Sequence, residues 1–166
     1  MAGLVMQGTR IERVADAVGL AAVAQLFRTY QQELGVDLCF QGFDAELAGL
    51  PGPYAEPTGC LLLAYQGATA VGVVALKPLE PPDVAEMKRL YVAPDARGAG
   101  LAAGLVEMLE AEARRRGYRR LKLDTLARLV AANRLYVRRG YQPTDPYTHN
   151  PEPDIRKRHR AMVMGL

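Results

Sequence analysis

Several familiar chemistries are excluded by what this sequence does not contain. Its two cysteines, Cys39 and Cys60, are too few for a disulfide framework and stand in no metal-binding pattern. The two histidines, His149 and His159, lack metal-ligand spacing with any partner, so no metal is expected. No apolar run approaches the roughly 20 residues of a membrane span. Residues 1–10 lack the basic-then-apolar layout of a secretory signal, which points to a cytoplasmic protein. The lysine of a P-loop is missing, and so is a Gly-x-Gly-x-x-Gly fingerprint, because position 103 is alanine. Finally, no Lys or Arg occurs between Arg28 and Lys77, although Glu33, Asp37, Asp44, Glu46 and Glu56 all fall there.

What is present suits one globular domain spanning residues 1–166. Hydrophobic residues make up 49% of the chain and charged ones 23%, enough to build a proper core at this length. Residues 9–14 read as a first strand. Asp16 caps a helix whose apolar stripe holds Leu20, Val23, Leu26, Phe27 and Tyr30. A shorter helix follows Phe43 and Asp44, and Pro51-Gly52-Pro53 interrupts regular structure. Residues 60–65 and 70–79 read as a hairpin joined by Gln66-Gly67-Ala68-Thr69. Residues 119–125 form a strand by alternation, and residues 162–166 a last one. Helices mixed with hairpins and a parallel crossing predict an α/β fold with a mixed central sheet and helices on both faces.

The stretch 86–102 is the most informative. Its first half favours extended chain, with Met87, Arg89 and Tyr91 on one face and Lys88, Leu90 and Val92 on the other. Pro94 ends the strand because it cannot donate to a ladder. From Leu101 the period becomes helical, with Leu101, Leu105 and Met108 in one stripe beside Ala102, Val106, Leu109 and Ala113. The helix should stop at Gly117, with Arg114, Arg115 and Arg116 in its last turn. Gly98 and Gly100 let backbone N–H groups converge at the positive end of that helix. By itself this loop is either a cradle for phosphate or a tight strand-to-helix turn that binds nothing.

Arg97-x-x-Gly100-x-Ala102 resembles the Gln/Arg-x-x-Gly-x-Gly/Ala signature of the GNAT superfamily of acyl-CoA-dependent N-acyltransferases. Downstream, Asn133-Arg134-Leu135-Tyr136-Val137-Arg138-Arg139-Gly140-Tyr141 is similar to the family's Asn-x-x-x-Tyr-x-x-x-Gly-Phe/Tyr helix. The resemblance is close over residues 59–142. It implies a splay between two parallel central strands, where the pantetheine arm of acetyl-CoA pairs with the main chain of Leu90, Tyr91 and Val92. It places the pyrophosphate on the amides of Arg97, Gly98, Ala99, Gly100, Leu101, Ala102 and Ala103. Asn133 would then hydrogen-bond the pantetheine, unless it merely caps its helix. Arg138 or Arg139, of which Arg139 is preferred, would meet the coenzyme 3′-phosphate. Tyr136 would protonate the leaving sulfur, and Glu86 stands where some members place a general base. A strand-end ion pair with Lys88 or Arg89 is the plain alternative for Glu86.

The resemblance thus implies transfer of an acetyl group from acetyl-CoA to a primary amine. The other function class is a noncatalytic acyl-CoA-binding module or sensor, which would need neither Glu86 nor Tyr136. The acid-rich stretch before Lys77 suggests a lip for a cationic amine, set against ordinary surface chemistry; the acceptor class favoured is a small cationic amine or an amino acid. The basic runs at 114–120 and 156–160 do not argue for nucleic acid, since the first ends a helix and net charge is only +3. The loop 143–153 is left to cover the cleft or to make a homodimer contact.

Overall fold

Asp16 starts the first helix as its position predicts: its Oδ1 accepts the amide of Gly19 at 2.8 Å. That helix, α1 (Ala17–Leu34), ends at Gly35 in the left-handed region. The computed structural model describes residues 4–6, 8–35, 42–147 and 159–166. Cys39, Asp37, His149 and most of the loop 143–153 therefore lie outside the described residues.

The remaining elements follow in order. Strands β1 (Leu4–Met6) and β2 (Thr9–Arg13) precede α1, and α2 (Phe43–Ala48) follows it. Then come the hairpin β3 (Cys60–Gln66) and β4 (Thr69–Pro78), and β5 (Val84–Val92). A short 3₁₀ turn, Pro94–Ala96, leads to α3 (Leu101–Arg115). Strand β6 (Arg120–Leu126), α4 (Val130–Arg139), β7 (Gln142–Pro143) and β8 (His159–Gly165) complete the chain. The sequence reading missed β1 and β7 and started β8 three residues late; these stretches are short on periodicity.

One eight-stranded sheet carries the order β1-β2-β3-β4-β5-β6-β8-β7. Among the described residues β5 and β6 are its parallel pair, and every other pairing is antiparallel. The mixed sheet matches the expectation. One face packs on α3 and α4 through Leu105, Leu109, Leu121, Leu123 and Leu135. The other packs on α1 and α2 through Val23, Phe27, Phe43, Leu61 and Val73. Apolar area removed from water on both faces, at roughly 25 cal/mol per Å², supplies the main driving force. Cys60 belongs to the first core, and burial pushes its thiol up to about 12.

Strand β5 departs from simple alternation, which corrects the facing read from the sequence. Ala75 of β4 lies opposite Lys88, but Val73 lies opposite Tyr91, so β5 spends one extra residue there. Arg89 occupies the bulge with φ 61°, the one non-glycine among the described residues at positive φ. The phase flips across it. Ala85 and Met87 before the bulge, and Leu90 and Val92 after it, all face the α3 core, whereas Tyr91 faces α1. Met87 and Tyr91 are therefore on opposite faces.

Candidate active site

Beyond the bulge, β5 and β6 part. Their ladder runs only from Val84 opposite Arg120 to Met87 opposite Leu123, although β5 continues to Val92 and β6 to Leu126. A bulged strand bends and twists more strongly than a regular one. Here β5 leaves its parallel neighbour, and a cleft of about 570 Å³ lies between the end of β5 and the segment that follows β6, Arg128 and α4 included. The post-bulge residues Leu90, Tyr91 and Val92 form one wall of it.

The glycine-rich loop forms one end of this cleft. Arg97, Gly98, Gly100, Leu101, Ala102 and Ala103 all line it; Ala99 of the same loop does not. Gly98 and Gly100 have φ of 88° and 78°, and a Cβ at either would meet open space. Glycine is needed there for backbone conformation, not for room. Gly100 is the N-cap of α3 and no side chain caps the helix, so first-turn amides stay available for an anion.

Arg97 is already engaged. Its Nε donates to the Val92 carbonyl at 2.9 Å, and its Nη2 pairs with Glu33 of α1. The Tyr91 hydroxyl donates to the other Glu33 oxygen at 2.8 Å. Burial would raise the Glu33 carboxyl, but the hydrogen bonds from Arg97 and Tyr91 outweigh it and hold the group below its usual value. The same environment pushes the Tyr91 phenol up to about 12, through burial first and its bond to Glu33 second.

Helix α4 forms the opposite wall through Val130, Ala131, Ala132, Leu135 and Arg138. Asn133 turns its amide away from solvent: Nδ2 donates to the carbonyls of Leu126 at 3.0 Å and Ala127 at 3.4 Å, pinning the β6–α4 turn. Its Oδ1 is buried without a partner among the described residues. Tyr136 is buried just behind this wall, with its ring edge-on to Tyr141 at 5.7 Å. Burial drives its phenol pKa far up, and nearby Tyr30 adds to the rise.

Arg139 does not face the cleft. Its guanidinium pairs with Glu110, a carboxylate with 0% exposure that also accepts from the Tyr141 hydroxyl at 3.2 Å. Leaving Glu110 uncompensated in the core would be costly, so Arg139 is committed to it. Arg138, one residue earlier, lines the cleft in its place.

Glu86 lies in the paired part of β5, opposite Lys77 on β4 and Lys122 on β6. It is 3% exposed, and the Tyr147 hydroxyl donates to its Oε2 at 2.7 Å. It does not line the cleft; Tyr147 covers it. Three carboxylates of the acid-rich stretch are paired, while Asp44 is exposed and Asp37 lies outside the described residues. Arg89 binds Glu46 with two hydrogen bonds of 3.1 and 3.0 Å, Arg97 pairs with Glu33, and Arg13 and Arg116 hold Glu56. Arginines from elsewhere in the chain neutralise these carboxylates.

The α1 wall is made by Tyr30, Glu33 and Leu34, of which the sequence had marked Glu33 only as part of the acid-rich stretch, and Arg128 after β6 joins them. The apolar stripe of α1 continuing to Tyr30 and Leu34 was the available signal for the first. Nothing in the pattern marked Arg128. Among the described residues no group of His, Cys, Asp or Glu is placed to hold a metal ion.

The sequence model of the acetyltransferase (GNAT) family matches residues 21–141. An uncharacterized N-acetyltransferase of Schizosaccharomyces pombe is 44% identical over 131 residues, covering 78% of this chain and 80% of its own. An uncharacterized N-acetyltransferase of Escherichia coli is 30% identical over 128 residues, covering 75% and 77%. Among solved structures, an acetyltransferase from Streptococcus agalactiae superposes with a TM-score of 0.77 over 97% of this chain and 100% of that one; at 22% identity it speaks for the fold.

Proposed function

This chain belongs to the acetyltransferase (GNAT) family, and from that premise we propose how its cleft moves an acetyl group from acetyl-CoA to a primary amine. The observation that carries the proposal is the parting of β5 and β6 after Met87 and Leu123, with a glycine-rich helix start at the end of the opening. An extended chain with its own amides fits between strands that no longer pair, and a pyrophosphate suits uncapped helical amides.

In this reading the main chain of Leu90, Tyr91 and Val92 pairs with pantetheine. The backbone of 97–103 holds the pyrophosphate, and Arg97 exchanges Glu33 for phosphate oxygens. The partnerless Oδ1 of Asn133 accepts from the pantetheine side, since its Nδ2 is occupied by Leu126 and Ala127. Arg138, not Arg139, supplies the cation for the outer phosphates. Acetyl-CoA brings the activated thioester; the protein's part is to align it and manage protons.

The amine nitrogen bonds to the thioester carbonyl carbon, the carbon–sulfur bond breaks, and the products are an N-acetyl amide and free coenzyme thiol. One proton leaves the nitrogen and one reaches the sulfur. Glu86 receives the first, through Tyr147 or an intervening water, because its carboxylate is covered. Tyr136 donates to the second. Burial keeps its hydroxyl protonated at neutral pH, so it meets the developing thiolate as a hydrogen-bond donor.

The test is release of coenzyme thiol from acetyl-CoA with a panel of primary amines. Turnover with at least one amine is expected. Tight acetyl-CoA binding with no amine acylated would favour the sensor reading instead.

A further inference from the structure

The cations near the β5–β6 opening differ in how far they are already engaged. Arg89 is bound on two sides by Glu46 and has no capacity left for a ligand carboxylate. Lys122 lies over the Tyr147 ring at 5.2 Å and stands in register with Glu86. Arg128 differs from both. It follows the end of β6, lines the cleft, is exposed, and makes no hydrogen bond or ion pair through its side chain among the described residues.

Arg128 belongs to the β6–α4 turn, directly after Leu126 and Ala127, whose carbonyls Asn133 holds. It therefore lines the cleft beside the residue that the reading above gives to pantetheine. Helix α4 has 10 residues and is about 15 Å long. That length separates Arg128, before its first turn, from Arg138 in its last. Arg128 and Arg138 therefore serve opposite ends of the opening.

A guanidinium presents paired donors in one plane, the shape of a carboxylate. Resting on the acetyl-transfer reading above, we propose that the acceptor is an amine bearing a carboxylate near its nitrogen, as an amino acid does. Arg128 grips that carboxylate and sets the amine before the thioester. The acceptor is then selected for negative charge, the reverse of what the acid-rich stretch suggested, because Glu33, Glu46 and Glu56 already have arginine partners.

The experiment measures coenzyme thiol release with the standard L-amino acids, each against its own α-carboxamide, and with spermidine and cadaverine as carboxylate-free amines. The best amino acid should exceed its carboxamide by about tenfold or more in kcat/KM. Arg128→Gln should erase that preference through the acceptor KM, while leaving the acetyl-CoA KM within about twofold; Arg128→Lys should keep part of it. Arg138→Gln is the control that should move the acetyl-CoA KM. Equal turnover of acids and carboxamides, turnover of the carboxylate-free amines alone, or a rise in acetyl-CoA KM in Arg128→Gln would each overturn the proposal while leaving acetyl transfer intact. No turnover with any amine would remove both.

Discussion

Arg89, the bulge residue of β5, holds Glu46 of α2 through two hydrogen bonds, and the pair is almost fully removed from solvent, at 5% and 10% side-chain exposure. The bond joins the strand's irregularity to the helix that covers it, with the guanidinium also over the Phe43 ring at 5.2 Å. Glu46→Ala would leave a buried guanidinium without its counter-charge. Such losses cost about 3–5 kcal/mol. Urea denaturation should show a drop of that order. A change below about 1 kcal/mol would mean that water or another carboxylate replaces Glu46 readily.

At Gly98 and Gly100 the requirement is conformational, so alanine should cost little space but strain the loop by roughly 1–2 kcal/mol each. Misaligned amides should raise the acetyl-CoA KM severalfold, with the acceptor KM nearly unchanged. Steady-state kinetics on both single variants check this; unaltered coenzyme affinity would argue against the loop as the phosphate cradle.

Tyr136→Phe should lower kcat by roughly 10²-fold or more where chemistry limits turnover. Because burial raises the Tyr136 pKa above its ordinary 10.0, the wild-type acid stays protonated through neutral and mildly alkaline pH. The rate should therefore show no fall attributable to this group up to about pH 10. Tyr147→Phe removes the hydroxyl that donates to Glu86 and should lower kcat while leaving the acetyl-CoA KM nearly unchanged, a split that general loss of packing would not produce.

Arg139 and Arg138 should separate cleanly. Arg139→Gln strands the Glu110 carboxylate in the core and should destabilise the fold by about 3 kcal/mol, with acetyl-CoA affinity largely kept. Arg138→Gln should weaken acetyl-CoA binding and leave thermal stability unchanged. The opposite pattern would restore Arg139 as the phosphate contact.

Glu112 gives the acid side of the stability curve. Burial alone would raise its carboxyl, but hydrogen bonds from Arg116 and Arg115 prevail and hold it below 4.5. A carboxyl depressed by folding contributes stability above its unfolded pKa and loses it as pH falls through the lower folded value. Glu112→Gln should therefore flatten the stability–pH curve below about pH 4.5, relative to wild type. Parallel curves for the two proteins would contradict this.

Much of the framework could be read from residue order. Leu101, Leu105 and Leu109 at helical spacing, Asp16 at a cap, and glycines where φ turns positive are local signals, and the structure follows them. The cleft's loop wall was legible for the same reason. The bulge was not: Met87, Arg89 and Tyr91 alternate perfectly on paper, and only the register against Val73 and Ala75 reveals the slip. Nor does a sequence tell which of two adjacent arginines turns inward. That choice rests on Glu110, a charged residue inside the apolar stripe of α3 whose burial depends on Arg139 and Tyr141 from a distant segment. The pairing of Glu33, Glu46 and Glu56 was not legible because their partners, Arg97, Arg89 and Arg116, are far along the chain.

The cleft hangs on a single inserted position. Were Arg89 deleted, the pair Lys88–Ala75 and the pair Tyr91–Val73 would be two regular steps apart, and the strand would run on as an ordinary ladder. Nothing would then bend it away from β6, and the two could zip together beyond Met87 and Leu123. The same helices and the same core would enclose a closed sheet, with the glycine loop facing a seam instead of a slot.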